Sequence, residues 1–424
     1  MIRITSLTAR EILDSRGKPT IKATCRLASG AAASASVPSG KSTGAAEAHE
    51  LRDGESKRYG GQGCRKAVAS VNGPIAQALV GKPLESQAAL DAAMVRLDGT
   101  PNKSRVGANA TLAASIAAAR AEAVERAVPL YQQFAEIAGR AADSLPRMTI
   151  NLFSGGKHGG GQMPIQDVLV VPASAVSVDE GLAMVYAVYQ AAADLGSKKY
   201  NTRPLTADEG GLAPPFPSVE TAFEDAVAAI RAAGLEPGRD VALAVDVASS
   251  HFYRDGKYHL SGEALDASGM VDRLAAWVRD FPIVSVEDGL AEDDWEHWPA
   301  LRERLAGKAL VLGDDLLCTN PSRIRRAVET RSADALLLKV NQIGTLTEAA
   351  EALRLARAAG WRVTVSARSG ETEDDWLADL AVGWGGDQIK VGSITQSERL
   401  AKYNRLLEIE AETRFPVVAW PNPR

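Results

Sequence analysis

From Met148 onward the chain repeats one unit, a short apolar run followed in most cases by an amphipathic helical stretch. The runs are MTINLFSG, IQDVLVVP, VALAVDV, PIVSVED, ALVLGDD, ADALLLKV, RVTVSAR and GDQIKVG. Short apolar runs that alternate with helices read as strands of βαβ units, buried on both faces. Eight of them point to a closed β/α barrel and away from an open sheet. The first two runs lie close together within residues 151–172, so the barrel is expected to open with a hairpin in place of a crossover helix.

The preceding residues have another rhythm. ITSLTAREIL and TIKATCRLAS alternate apolar and polar positions around the turn DSRGKPT, which reads as a β-hairpin. SVPSGKSTG follows as an exposed loop. Beyond Gly61 the pattern is helical through AVASVNGPIAQALVG, SQAALDAAMVRLDG and ANATLAASIAAARAEAVERA. Strands followed by helices imply an α+β capping domain over residues 1–137 and a barrel over 138–424, with the boundary inside 135–147. The class is α/β.

Composition narrows the partners. A net charge of −5 without any block of like charge argues against nucleic acid and anionic membranes. The N-terminal stretch carries charge from its third residue and has no apolar core of a signal peptide. No window is apolar enough to span a bilayer, so a cytoplasmic location is expected. Cys25, Cys64 and Cys318 show no metal-ligand spacing and read as buried small hydrophobes.

Four side chains at the ends of these runs carry the chemistry: Asp246, Glu287, Asp314 and Lys339, separated by 41, 27 and 25 residues. The last two gaps hold one strand, one helix and two loops. Each acid alone reads as a solvated loop carboxylate. At this spacing they converge at the C-terminal face of the barrel, where catalytic groups gather. An oxygen-rich set without thiols suits Mg²⁺, and Lys339 is held beside it.

AREILDSRGKPT, SVPSGKSTGAAEAHELRDG, LDGTPNKSRVGANA, ADEGGLAP, VEDGLAEDDW, GDDLLCTNP, LLLKVNQIGTLTE, RSGETEDDW and SERLAKYNRLLEIE occur in this order. With these stretches the chain resembles the enolase (phosphopyruvate hydratase) family over nearly its whole length. The resemblance implies two Mg²⁺ ions per site. Asp246, Glu287 and Asp314 would hold the first, and Ser39 of the closing loop would join the second. It implies Lys339 as general base, Lys390 as a cation facing the substrate carboxylate, and Glu209 as the acid that helps a hydroxide leave. His158 matches a loop imidazole, while Arg368 and Ser369 match phosphate-binding groups. A homodimer or higher homo-oligomer is implied as well. The proton-abstracting lysine must be neutral, which nearby divalent cations favour. Glu209 is expected to have a raised pKa, so that it carries a proton.

Several positions depart from the family. Ala367 in SARSGE stands where the family has histidine, which removes a donor and opens space. Gln166-Asp167-Val168 replaces Gln-Glu-Phe, drawing a catalytic carboxylate back by one methylene. Gln396 replaces an arginine, Lys41 adds a cation to the closing loop where alanine is usual, and the His158 loop loses an Asn-containing tip. These changes surround the phosphate and leaving-group end and spare the metal ligands and Lys339. That pattern resembles a branch of the family, carboxyphosphonoenolpyruvate synthase, which serves phosphonate and phosphinate antibiotic biosynthesis. The expected substrate is a small phosphorylated or phosphonate carboxylate, with Lys41, Gln166 and Ala367 among the residues that meet it. Ordinary phosphopyruvate hydratase, converting 2-phosphoglycerate to phosphoenolpyruvate, is the alternative. A non-catalytic binding or structural role on the same fold is a third reading.

Overall fold

The computed structural model describes residues 2–421. Its N-terminal layer is a four-stranded sheet in the order β3-β2-β1-β4, made of β1 (Ile2–Leu13), β2 (Pro19–Leu27), β3 (Ala32–Ser36) and β4 (Pro83–Leu84). β1 and β2 form the hairpin read from the alternation, with Leu13 opposite Pro19. β3 continues it into a meander. Ile4, Ile21, Ala23 and Cys25 pack inward from this sheet, and the helix Ala108–Arg126 buries its alanine-rich face against β2 and β3. Alanine lets helix and sheet approach closely there.

AVASVNGPIAQALVG departs from the expected single helix. Residues Val71–Ile75 wind as a π-turn between two short α-segments, with Pro74 inside. Proline lacks the N–H that an α-turn needs, and the wider turn absorbs the defect. The last helix of the layer is Leu130–Ala138.

All eight apolar runs become barrel strands. They are β5 (Arg147–Ser154), β6 (Asp167–Val171), β7 (Ala242–Asp246), β11 (Ile283–Glu287), β12 (Leu310–Gly313), β13 (Ala335–Leu338), β14 (Arg362–Ser366) and β15 (Gln388–Lys390). The barrel closes in the order β11-β12-β13-β14-β15-β5-β6-β7. β6 runs antiparallel to both β5 and β7, as the close spacing of the first two runs required, and the other pairs are parallel. The long gap between Asp246 and Glu287 is filled by a small sheet of β8 (Tyr253–Arg254), β9 (Lys257–Leu260) and β10 (Glu263–Leu265), then the helix Ala267–Asp280.

The barrel interior follows from the period of two. Leu169, Val171, Ala242 and Ala244 share the face of Asp167 and Asp246, and with Trp420 they make a small apolar cluster apart from the main core. Leu312, Ala335 and Leu337 make another on the strands that lead to Asp314 and Lys339. On the opposite wall the inward positions are polar: Thr149, Thr364, Ser366, Gln388 and Lys390 are all buried. Cys25, Cys64 and Cys318 are buried and unpaired. Among the described residues no helix is long and apolar enough to cross a membrane.

Candidate active site

Register brings the acids together. Asp167 pairs with Asp246, and Asp246 pairs with Glu287, so three carboxylates stand side by side on adjacent strands. Asp167 belongs to this row only because β6 is reversed, which puts its first residue at the barrel mouth. Asp314 follows the end of β12 and Lys339 the end of β13. From the far wall Lys390 ends β15 and reaches across the mouth. Its Nζ donates to Asp246 Oδ2 at 2.9 Å and to the two oxygens of Glu287 at 2.8 and 2.7 Å. Lys339 Nζ donates to Asp314 Oδ2 at 2.5 Å. Gln166 Nε2 donates to Asp246 Oδ2 at 3.0 Å, while its buried Oε1 has no partner.

The charges follow from burial. Loss of water and repulsion from Asp246 push Glu287 well above the usual carboxylate range, over the opposing pull of Lys390. Burial would also raise Asp246, but Lys390 outweighs it and holds the group down at about 2. Burial opposes a charge on Lys339, yet Asp314 and Glu287 outweigh it and raise the pKa. The neutral amine expected of Lys339 therefore needs compensating positive charge on those carboxylates. Asp246, Glu287 and Asp314, buried and paired with Lys390 and Lys339, offer the oxygen donors that suit a hard cation such as Mg²⁺. The groups whose ligand atoms already lie within 4.8 Å of one another are, however, Asp288–Asp314–Asp315 and His158–Asp167–Glu209.

The acid end is a chain of three groups. Ser154 Oγ and His158 Nδ1 hold Asp167 at 2.6 and 3.0 Å, His158 Nε2 lies 3.6 Å from Glu209 Oε1, and Asn151 Nδ2 donates to Glu209 Oε2 at 3.1 Å. Here the structure corrects the sequence reading of Glu209. Burial would raise its pKa, but His158, Arg399, Lys390 and Lys339 together hold it below the usual carboxylate range. Burial works against a charge on His158, and Glu209 and Asp167 outweigh it, so its pKa rises. Burial raises Asp167. Of the three, His158 and Asp167 are held above their usual values and Glu209 below its own.

Arg368, expected to bind phosphate, is buried and almost fully engaged. Nη1 donates to Glu47 Oε2 at 2.9 Å and Asn341 Oδ1 at 3.0 Å, and Nη2 donates to Glu47 Oε1 at 3.1 Å and the Ser42 carbonyl at 2.8 Å. Ser369 Oγ accepts from the Lys41 backbone N–H at 2.8 Å and Arg16 Nη1 at 3.1 Å. The loop 37–44 thus lies over the site. Lys41 Nζ leaves the cavity and pairs with Asp208 at 2.8 Å at the rim, so Ser42 is the residue that lines the interior. Ser39 is not brought to the acids. Its Oγ lies between Glu50 and Arg52, and its backbone bridges to Gly370.

His158, Gln166, Glu209, Asp246, Lys339, Ala367, Arg368, Ser369 and Lys390 enclose one cavity with Ser42 and Ser366. Its volume is about 20 Å³, the room of a single water, so the loop must open to admit a larger ligand. Sequence reasoning missed Asp288, Glu47 and Ser42. Asp288 accepts from the backbone N–H groups of Asp314 and Asp315 at 2.9 and 2.8 Å and so fixes the turn that carries Asp314. The doubled acids of VED and GDD were its only signal. Asp288, Asp314 and Asp315 also form a second acidic cluster, beside that of His158, Asp167 and Glu209.

The chain matches the enolase N-terminal domain over residues 4–134 and the enolase C-terminal TIM barrel domain over residues 142–416. The two matches take in the capping layer and the whole barrel, and the chain belongs to the enolase family.

Proposed function

We propose that this protein is a Mg²⁺-dependent enzyme acting on 2-phosphoglycerate- or phosphoenolpyruvate-type substrates, of the carboxyphosphonoenolpyruvate synthase kind that serves phosphonate or phosphinate biosynthesis. The observation that carries the reading is Ala367. It lines the same cavity as Ser42 and the anion-facing Arg368 and Ser369, at a position where the family has an imidazole. The loss of that ring would leave room beside the phosphorus end for a bulkier group once loop 37–44 has opened.

Asp246, Glu287 and Asp314 would hold the metal, and Ser39 would join a second ion once loop 37–44 moves. The metal supplies positive charge against the negative charge that develops on a substrate carboxylate. Lys339 is the base for the proton beside that carboxylate, and Lys390 faces the carboxylate from the far wall. Arg368 and Ser369 orient the phosphorus group. His158, between Asp167 and Glu209, is placed to pass a proton to a departing oxygen. The resemblance also supports a homo-oligomer.

The test follows ³¹P signals after incubation with Mg²⁺ and 2-phosphoglycerate, with and without an activated phosphonoformate. A new phosphorus species that needs both compounds supports the proposal. Rapid conversion of 2-phosphoglycerate to phosphoenolpyruvate alone, with a kcat near the ordinary ~10 s⁻¹, would overturn it. That outcome would establish ordinary phosphopyruvate hydratase, the second reading, which draws on Lys339, Glu209 and His158 lining one cavity.

A further inference from the structure

Behind the anion end lies a cation that the proposed chemistry does not use. Arg399 sits in the first turn of the helix Ser397–Thr413 and is 0% exposed. Burying a guanidinium is costly unless its donors are satisfied; here the two Nη groups go to the backbone of the site, while Nε makes no hydrogen bond and lies 3.3 Å from Glu398 Oε1. Nη1 donates to the carbonyls of Arg368 at 2.7 Å and Val391 at 2.9 Å, and Nη2 donates to the carbonyl of Ser369 at 2.8 Å. One planar fork therefore grips the segment after β14, which faces the anion, and the segment after β15, which follows Lys390.

The same side chain abuts the acid end. Gly392 adopts φ +121°, and a Cβ placed there would meet Arg399 Cδ at 2.9 Å and the Glu209 carbonyl at 3.0 Å. Only glycine leaves the gap that lets these groups pack. The Ser393 N–H then donates to the Glu209 carbonyl at 2.9 Å, and Thr395 Oγ1 donates to the Gly210 carbonyl at 3.1 Å. The loop of Glu209 thus hangs on residues 392–395, immediately before the helix that carries Arg399.

We propose that Arg399 is a positioning residue that ties the Arg368–Ser369 segment to the loop of Glu209, so that the anion end and the acid end hold one fixed separation. This rests on the reading of Arg368 and Ser369 as the anion-facing groups. A lysine could keep the charge, but it lacks the planar fork that spans three carbonyls. The charge of Arg399 also helps to hold Glu209 below the usual carboxylate range.

The experiment compares Arg399→Lys with Arg405→Lys on the same helix, where the fork instead grips Asp379 at 2.9 Å through two nitrogens. Amide hydrogen exchange of the full chain is read at residues 368–370 and 209–211, and binding of Mg²⁺ and of inorganic phosphate is measured by calorimetry. In Arg399→Lys both segments should exchange at least tenfold faster together, with phosphate affinity falling about tenfold and Mg²⁺ affinity unchanged. Arg405→Lys should do neither. Unchanged exchange in either segment, or equal loosening in the Arg405 variant, overturns the proposal. A wild-type protein that binds no phosphate counts against the anion-facing reading alone, because the exchange comparison still decides the role of Arg399. If Arg399→Lys does not fold, Gly392→Ala must give the same paired loosening, and its failure to do so also overturns the proposal.

Discussion

Lys390 carries the charge balance of the barrel mouth. Its ammonium neutralises two carboxylates whose side chains, like its own, are less than a tenth exposed. Removing one partner of such a group leaves charge stranded out of water, at a cost of about 3–5 kcal/mol. Lys390→Met is therefore expected to lose that much stability in urea melts, and Mg²⁺ should restore more stability to the variant than to the parent. A loss under ~1 kcal/mol would show that Asp246 and Glu287 find other compensation. Ala367 tests the pocket itself. Ala367→His should raise conversion of 2-phosphoglycerate to phosphoenolpyruvate at least tenfold, and an unchanged rate would remove the pocket argument. At this scale the sequence told which side chains matter better than it told their state. Glu209 was legible in ADEGG, but its ionisation depends on His158, Arg399, Lys390 and Lys339, which arrive from four other segments. Arg399 lay within the SERLAKYNRLLEIE stretch, but its role gave no local signal, since its partners are backbone carbonyls about 30 and 8 residues away.

Among the elements, the buried acid of helix Gln87–Asp98 offers the clearest pH test. Asp91 accepts from the N–H of Thr347 at 2.9 Å and from its hydroxyl at 2.6 Å, joining the capping layer to the start of the barrel helix Leu346–Ala358. Burial raises its pKa from 3.8 to about 6. Because the folded value is raised, its stabilising contribution is complete below about pH 4 and is lost as pH climbs through 6. The shift of about two units corresponds to about 3 kcal/mol. Asp91→Asn should gain stability relative to the parent as pH goes from 4 to 8, by up to that amount, in melts at each pH. A difference that does not vary with pH would refute this account. The strands were legible because each is a short apolar run at regular spacing. The π-turn at Val71–Ile75 was not, because Pro74 tells where an α-helix fails but not which wider turn repairs it.

For the whole molecule, the site is a joint between two layers. Arg120 of the capping helix pairs with Asp374 at 2.7 Å and Asp375 at 3.0 Å, Lys103 with Glu348 at 2.8 Å, and Arg16 reaches Ser369. A metal held by the barrel acids binds only the folded chain, so Mg²⁺ at a hundred times its Kd should add about 2.7 kcal/mol of stability. Chelation should remove that gain, and Asp246→Asn should abolish it. Calorimetric melts with Mg²⁺ and with chelator check both, and an equal gain in the variant would place the ion elsewhere. The barrel was legible as a whole because eight runs allow few arrangements. The resting place of the closing loop was not. Whether Ser39 or Ser42 meets the cavity depends on the bridge from Ser39 to Gly370 and on the grip of Arg368 on Ser42, contacts between residues more than 300 apart in sequence.

The reversed β6 has a further consequence. Because β5 and β6 meet in a hairpin, the stretch between them carries no helix of the outer ring. Gly160 and Gly161, at φ +86° and +87°, stand in open space on that tip. Extra residues inserted there would disturb none of the helices that brace the barrel, while changing what lies beside His158 and Gln166. A scaffold arranged in this way can acquire new substrates by altering one short tip, with its folding left intact.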